Sequence, residues 1–110
     1  NGDVFRWRHL WPAFGEYFDM PIGPPQRLDL TATMADKAPL WRRIADRHGL
    51  QNIPYEDLVR WPFADFVFAS DWDIVSDMGK ARRAGFHEVE DSQEMFLRLF
   101  GEFREAKVIP

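Results

Sequence analysis

Apolar residues recur at helical spacing from the start of the chain. In FRWRHLWPAFGEYF, Trp7, Leu10, Trp11 and Phe14 stand at i, i+3, i+4 and i+7 and share one face. Asp3, just ahead of this run, predicts a capped helix start, its carboxylate accepting first-turn N–H groups. Pro12 predicts a kink or a division of that helix, because it removes an N–H and crowds the preceding turn. MPIGPPQR then predicts a rigid connector.

A second helical region is expected from Asp29 or Thr31. It runs through ATMADK, meets Pro39 at a first-turn position and continues as LWRRIADRHG. Leu40, Trp41, Ile44 and Ala45 form its apolar face, and Gly49 suits a left-handed end. Pro54 predicts a short helix over YEDLVRW, and Pro62 the opening of another turn. DIVSD reads as a short extended segment ending at Asp77, which can cap MGKARRA as far as Gly85. Asp91 and Glu94 have capping-box spacing before a last helix striped with Phe96, Leu99, Phe100 and Phe103. The pattern predicts one mainly α domain over residues 1–110, with one or two very short strands.

Composition narrows the function. With 110 residues, 45% hydrophobic and 29% charged, the chain falls among single globular domains. A net charge of −4 argues against nucleic acid as a partner, since phosphate binders need a basic surface. There is no cysteine, which removes disulfides, thiolate metal sites and thiol nucleophiles, and a cytoplasmic location is the simplest expectation. No apolar run approaches the ~20 residues of a membrane span.

No motif of chemistry emerges from spacing. The glycines do not group as a dinucleotide-binding turn requires. His9, His48 and His87 are far apart, and Ser70, Ser76 and Ser92 stand near turns or helix starts. Asp71, Asp73 and Asp77 form a carboxylate group whose capping and turn roles compete with acid–base or cation-binding work. WPFADFVF is the remaining oddity, with Trp61, Phe63, Phe66 and Phe68 around Asp65. Those rings are either packing or the wall of a pocket.

Several stretches together resemble one family. Gly2-Asp3 with Trp7 and Trp11 is similar to its NGD-x-x-x-W-x-x-x-W pattern, and Lys80, Gly85 and Phe86 to its K-x-x-x-x-G-F pattern. Val108-Ile109-Pro110 resembles its usual C-terminus. The chain resembles the C-terminal part of the extended short-chain dehydrogenases/reductases, in the branch of progesterone 5β-reductase and iridoid synthase. The resemblance implies a helical substrate-binding domain detached from an N-terminal Rossmann domain. That missing domain would hold NAD(P) and supply a tyrosine and, four positions on, a lysine. Here Tyr17 is followed at that offset by Pro21, and Tyr55 by Val59, so no catalytic residue or cofactor site is expected in this chain.

The implied reaction is hydride transfer from NADPH to the β-carbon of an enone, with the tyrosine of the other domain stabilising the enolate. A substrate-side domain would add apolar walls suited to a small apolar substrate. The family likeness points to Phe63 as a pocket residue, with Trp61 and Trp7 as further substrate-binding candidates. Phe66 and Phe68 are expected to anchor the segment in the core, and Asp65 to hold a local hydrogen bond or salt bridge. Trp7 and Trp11 are also read as pinning the first helix. The competing reading is a free-standing helical interaction module, with a homodimer formed through the face the missing domain would cover.

Overall fold

A computed structural model describes residues 2–110. Among these it contains seven helices: α1 (Trp7–Tyr17), α2 (Leu30–Met34), α3 (Ala38–His48), α4 (Tyr55–Leu58), α5 (Trp61–Phe68), α6 (Gly79–Arg83) and α7 (Ser92–Glu105). The expected predominance of helix is found. The one or two short strands are not: no strand occurs among the described residues, and residues 73–78, which include IVSD, carry no regular structure.

Packing divides the chain into two compact units, Asn1–Pro24 with Asp73–Phe100, and Pro25–Trp72 with Gly101–Pro110. The first is built on rings. Phe14 of α1 meets Phe96 and Phe100 of α7 edge-to-face, at centroid distances of 5.3 and 5.1 Å, and Trp11 at 5.6 Å. Phe18 and Tyr17 close on Phe100 at 5.0 and 5.5 Å. The two sequence stripes therefore face each other, and Leu10 and Phe14 are buried between them. Such aromatic pairs add about 0.5–1.5 kcal/mol each beyond the area they bury.

Asp3 does not cap the helix it precedes. The residue at the start of α1 is Arg6, which makes no side-chain cap bond. Asp3 instead accepts the N–H of Ser92 at 2.9 Å, bringing the chain's beginning to the start of α7, where Ser92 is wholly buried. The donor it finds belongs to a helix 89 positions away, a partner that local spacing does not reveal. Asp91 supplies the expected cap there, taking the N–H of Glu94 at 2.9 Å. Pro12 likewise leaves α1 undivided. The carbonyl its missing N–H abandons is that of Arg8, an exposed residue, so solvent can satisfy it.

Gly15 is required by a close approach. After α1, the chain folds back so that a Cβ on Gly15 would meet Ile22 Cγ1 at 2.7 Å and the Met20 carbonyl at 2.9 Å. The helix ends in a left-handed residue, Asp19 (φ 51°), and the Met20 N–H returns to the Gly15 carbonyl at 2.8 Å. This is the Schellman arrangement. Gly85 ends α6 in the same way, with the Phe86 N–H on the Ala81 carbonyl at 3.0 Å. Asp77 takes the Gly79 N–H at the other end of that helix, as its position predicts.

The second unit is held by hydrogen bonds at its joints. Asp29 caps α2 through the Ala32 N–H at 2.7 Å. Pro39 lies in the first turn of α3, and Gly49 ends it at φ 61°, with Leu50 N–H on the Ala45 carbonyl at 2.9 Å. On the face expected to be apolar and buried, Trp41, Ile44 and Ala45 are half-buried and Leu40 is exposed. The helix after Pro54 stops at Leu58 instead of reaching Trp61, because Val59 is extended and Pro62 belongs to the first turn of α5. Tyr55 donates its hydroxyl to the Met34 carbonyl at 2.9 Å. Gln51 donates its N–H to the Lys107 carbonyl at 2.8 Å and its side-chain amide to that of Ala106 at 2.6 Å. No described residue of this unit is fully buried.

Val4, Met20, Phe63, Phe66, Trp72, Ile74 and Val75 are each more than 60% exposed. Much apolar side-chain surface is thus left to solvent.

Candidate functional site

Helix α5 carries the aromatic stretch, and its orientation is fixed by Asp65. The carboxylate accepts the N–H of Leu30 at 2.7 Å, the N–H of Thr31 at 2.9 Å and the Thr31 hydroxyl at 2.6 Å. A helix start leaves its first N–H groups without intrahelical partners. In α2 those of Leu30 and Thr31 go to Asp65 and that of Ala32 to Asp29. The Thr31 hydroxyl, and then the backbone N–H groups of Thr31 and Leu30, hold the Asp65 carboxyl below its ordinary value of 3.8. An ionised, half-buried acceptor with three donors is a clamp and not a proton donor.

The clamp decides where the rings go. At about 100° per residue, Trp61, Ala64 and Asp65 fall on one side of α5, with Pro62, Phe63 and Phe66 opposite. Trp61, Ala64, Asp65 and Val67 are half-buried, whereas Phe63 is 64% and Phe66 69% exposed. The Phe63 and Phe66 rings lie 6.4 Å apart and only 31° from parallel. Phe66 is therefore not a core anchor. It shares the outer face with Phe63, because positions three apart on a helix are neighbours. Phe68, at the end of the helix, is 46% exposed and is not a core residue either.

The other two proposed substrate-binding residues lie elsewhere. Trp61 turns inward towards Tyr55, ring centroids 6.4 Å apart, on the side of α5 away from Phe63. Its buried indole N–H meets no acceptor among the described residues. Trp7 is in the first unit, half-buried against Phe5 at 5.1 Å, Phe96 at 6.1 Å and Trp11 at 6.4 Å. Two open depressions, one lined by residues from Gly15 to Ile22 and another by residues from Phe86 to Glu94, include none of these three.

The carboxylate group of residues 71–77 is used in joints. Asp73 receives both terminal nitrogens of Arg6 at 2.8 Å, and that hydrogen-bonded ion pair lowers its pKa. Asp71 lies 3.7 Å from Arg27. Among the described residues no three His, Cys, Asp or Glu side chains are grouped so as to hold a metal. His9, His48 and His87 are exposed. No described helix is long and apolar enough to cross a membrane.

The described residues do not fit a dinucleotide. Gly15 admits a folded-back loop, Gly49 and Gly85 end helices, and no described strand leads into a glycine turn that could cradle a pyrophosphate.

Comparison with known proteins gives the lineage. The chain is 33% identical, along its whole length, to an (S)-8-oxocitronellyl enol synthase of Camptotheca acuminata and to one of Nepeta cataria. It is 31% identical, again over its whole length, to the short chain dehydrogenase gsfE of Penicillium aethiopicum. This chain is homologous to iridoid synthases and short-chain dehydrogenases. It spans 29%, 29% and 33% of the lengths of those three relatives, so it corresponds to less than the whole of any of them. No family model matches it. The relatedness makes it an oxidoreductase-related helical domain.

Proposed function

We propose that this chain is the substrate-side part of an NAD(P)-dependent oxidoreductase that reduces an enone or carbonyl of a small apolar substrate. The coenzyme and the reacting groups then belong to a Rossmann domain outside this chain, and the present residues orient the substrate and exclude water. The observation that carries the reading is α5. It is clamped by three hydrogen bonds to Asp65, yet it turns two phenyl rings to the outside. A buried ring would be packing; a rigidly held, uncovered pair fits an apolar wall. Phe63 is the ligand-facing residue. Trp61 supports α5 from within, and Trp7 keeps the packing role its ring contacts give it.

The test is the full chain encoded by the gene, assayed for NAD(P)H oxidation against enones and carbonyl compounds of graded size. Turnover is expected from that protein and not from residues 1–110 alone. Phe63→Ala is expected to change the ranking of substrates more than the KM for coenzyme. An equal loss across the panel counts against the pocket.

The uncovered surface also supports a second reading, a free-standing interaction module that associates through its apolar residues. Its signature is a gene product no longer than this domain, without NAD(P)H-dependent turnover, whose mass by light scattering rises with concentration.

A further inference from the structure

We infer that Asp65 is a positioning residue for substrate selection: its contacts with Leu30 and Thr31 set the aim of the Phe63–Phe66 face. The inference rests on the substrate-side reading above and adds the device that makes it specific. Three observations converge on it. Asp65 is the only acidic residue of α5, and it reaches 34 and 35 positions back along the chain instead of bonding locally. It supplies two of the three acceptors required by the start of α2, so turning α5 away would leave the Leu30 and Thr31 N–H groups without them. Its position on α5 lies roughly opposite the two exposed rings, so a small rotation about the helix axis moves both rings together.

The bonds are directional where apolar packing is not. Around α5 the inward residues are only half-buried, so close packing does not by itself fix the rotation of this eight-residue helix. A carboxylate taking two adjacent N–H groups and a hydroxyl defines both the distance between α2 and α5 and the angle about α5. The rings can then select a substrate by shape without touching the reacting atoms.

The experiment uses the full chain with Asp65→Asn, Asp65→Ala, Thr31→Val and Phe63→Ala. Each is assayed for kcat/KM on substrates of graded bulk and for coenzyme KM. Asp65→Ala is expected to change the bulky-to-small ratio of kcat/KM by about tenfold, with coenzyme KM within about twofold of the parent. Asp65→Asn keeps one oxygen acceptor and is expected to fall between. Thr31→Val removes only the hydroxyl bond, keeps the fold and is expected to give a smaller change in the same direction. If Phe63→Ala shifts the ratio while Thr31→Val and Asp65→Asn match the parent, the aiming role is overturned and the substrate-side reading stands. If the unmodified full chain oxidises no NAD(P)H with any substrate, both are overturned. A uniform loss across the panel in the Asp65 variants makes the clamp merely structural and overturns the inference.

Discussion

The first unit keeps Leu10, Phe14 and Ser92 out of solvent, while no described side chain of the second unit is fully buried. One is closed by rings meeting rings across α1 and α7. The other is jointed by Asp65, Asp29, Tyr55 and Gln51, each reaching a backbone group of another segment or a helix start. The contrast separates two demands. Apolar burial supplies stability without specifying direction, whereas a hydrogen bond to a helix start fixes direction with little buried area. In the second unit that device ties α5, with its exposed Phe63 and Phe66 rings, to the start of α2.

Equivalent truncations in the two units test the contrast most severely. Phe14→Ala is expected to lower the unfolding free energy of residues 1–110 by about 3–5 kcal/mol, since it removes a ring from three aromatic contacts and leaves a cavity. Phe66→Ala removes the same atoms from a 69% exposed position and is expected to stay within about 0.5 kcal/mol of the parent. Urea titration of both variants decides it. Equal losses would mean that α5 packs as tightly as α1 and that the comparison is false.

Gly15→Ala is the next largest effect, about 1–3 kcal/mol, because the added Cβ is forced against Ile22 and the Met20 carbonyl. It probes the loop of the first unit without touching the ring cluster. A variant as stable as the parent would show that residues 20–22 move aside freely, which thermal unfolding would reveal.

Acid acts on both units through their carboxylates. Asp3 is held below its ordinary 3.8 first by the Ser92 N–H and then by the Ser92 side chain, Asp73 by Arg6, and Asp65 by Thr31. A folded-state value below the unfolded one means that each contribution is present above about pH 4 and is lost as pH falls through the lowered value. Stability is therefore expected to be level from neutrality down to about pH 4 and to fall below it. In Asp65→Asn the share due to that group is absent and the acid slope is shallower. Salt should weaken the Arg6–Asp73 pair, since both side chains are well exposed. An acid profile of Asp65→Asn that overlays the parent would remove the clamp from the account of the second unit.

Much of this was legible because it is local. Asp29, Asp77 and Asp91 cap helices that start one or two residues on, and Gly49 and Gly85 end helices in the conformation that favours glycine. What spacing conceals is a polar residue serving a distant helix. Asp3 bonds Ser92, and Asp65 bonds Leu30 and Thr31, so their partners are set by the tertiary fold. The division of labour among the phenylalanines failed for the same reason. Without the clamp, the rotation of α5 is undetermined, and Phe66 could not be told from a core ring. The residues that carry the family likeness, Asp3, Gly85 and Val108 among them, prove to be joints of the fold, so the likeness made the architecture more legible than the chemistry.

Two helix ends escaped notice because no glycine marks them, and they offer the finest test. Asp19 (φ 51°) ends α1 in the first unit, and Lys107 (φ 56°) follows α7 in the second, with Val108 N–H on the Phe103 carbonyl at 2.8 Å. A left-handed backbone costs an L-residue roughly 1–2 kcal/mol, less for aspartate, whose short side chain bonds locally, and nothing extra for glycine. Lys107→Gly is therefore expected to raise stability by about 0.5–1 kcal/mol and Asp19→Gly by less, because glycine also loses more chain entropy on folding. The Lys107 carbonyl receives Gln51, so the gain in the second unit comes at one of its own joints. Should Lys107→Gly weaken the protein instead, the lysine side chain contributes there through a contact stronger than the backbone strain it carries, and the second unit depends on more than its hydrogen-bonded joints.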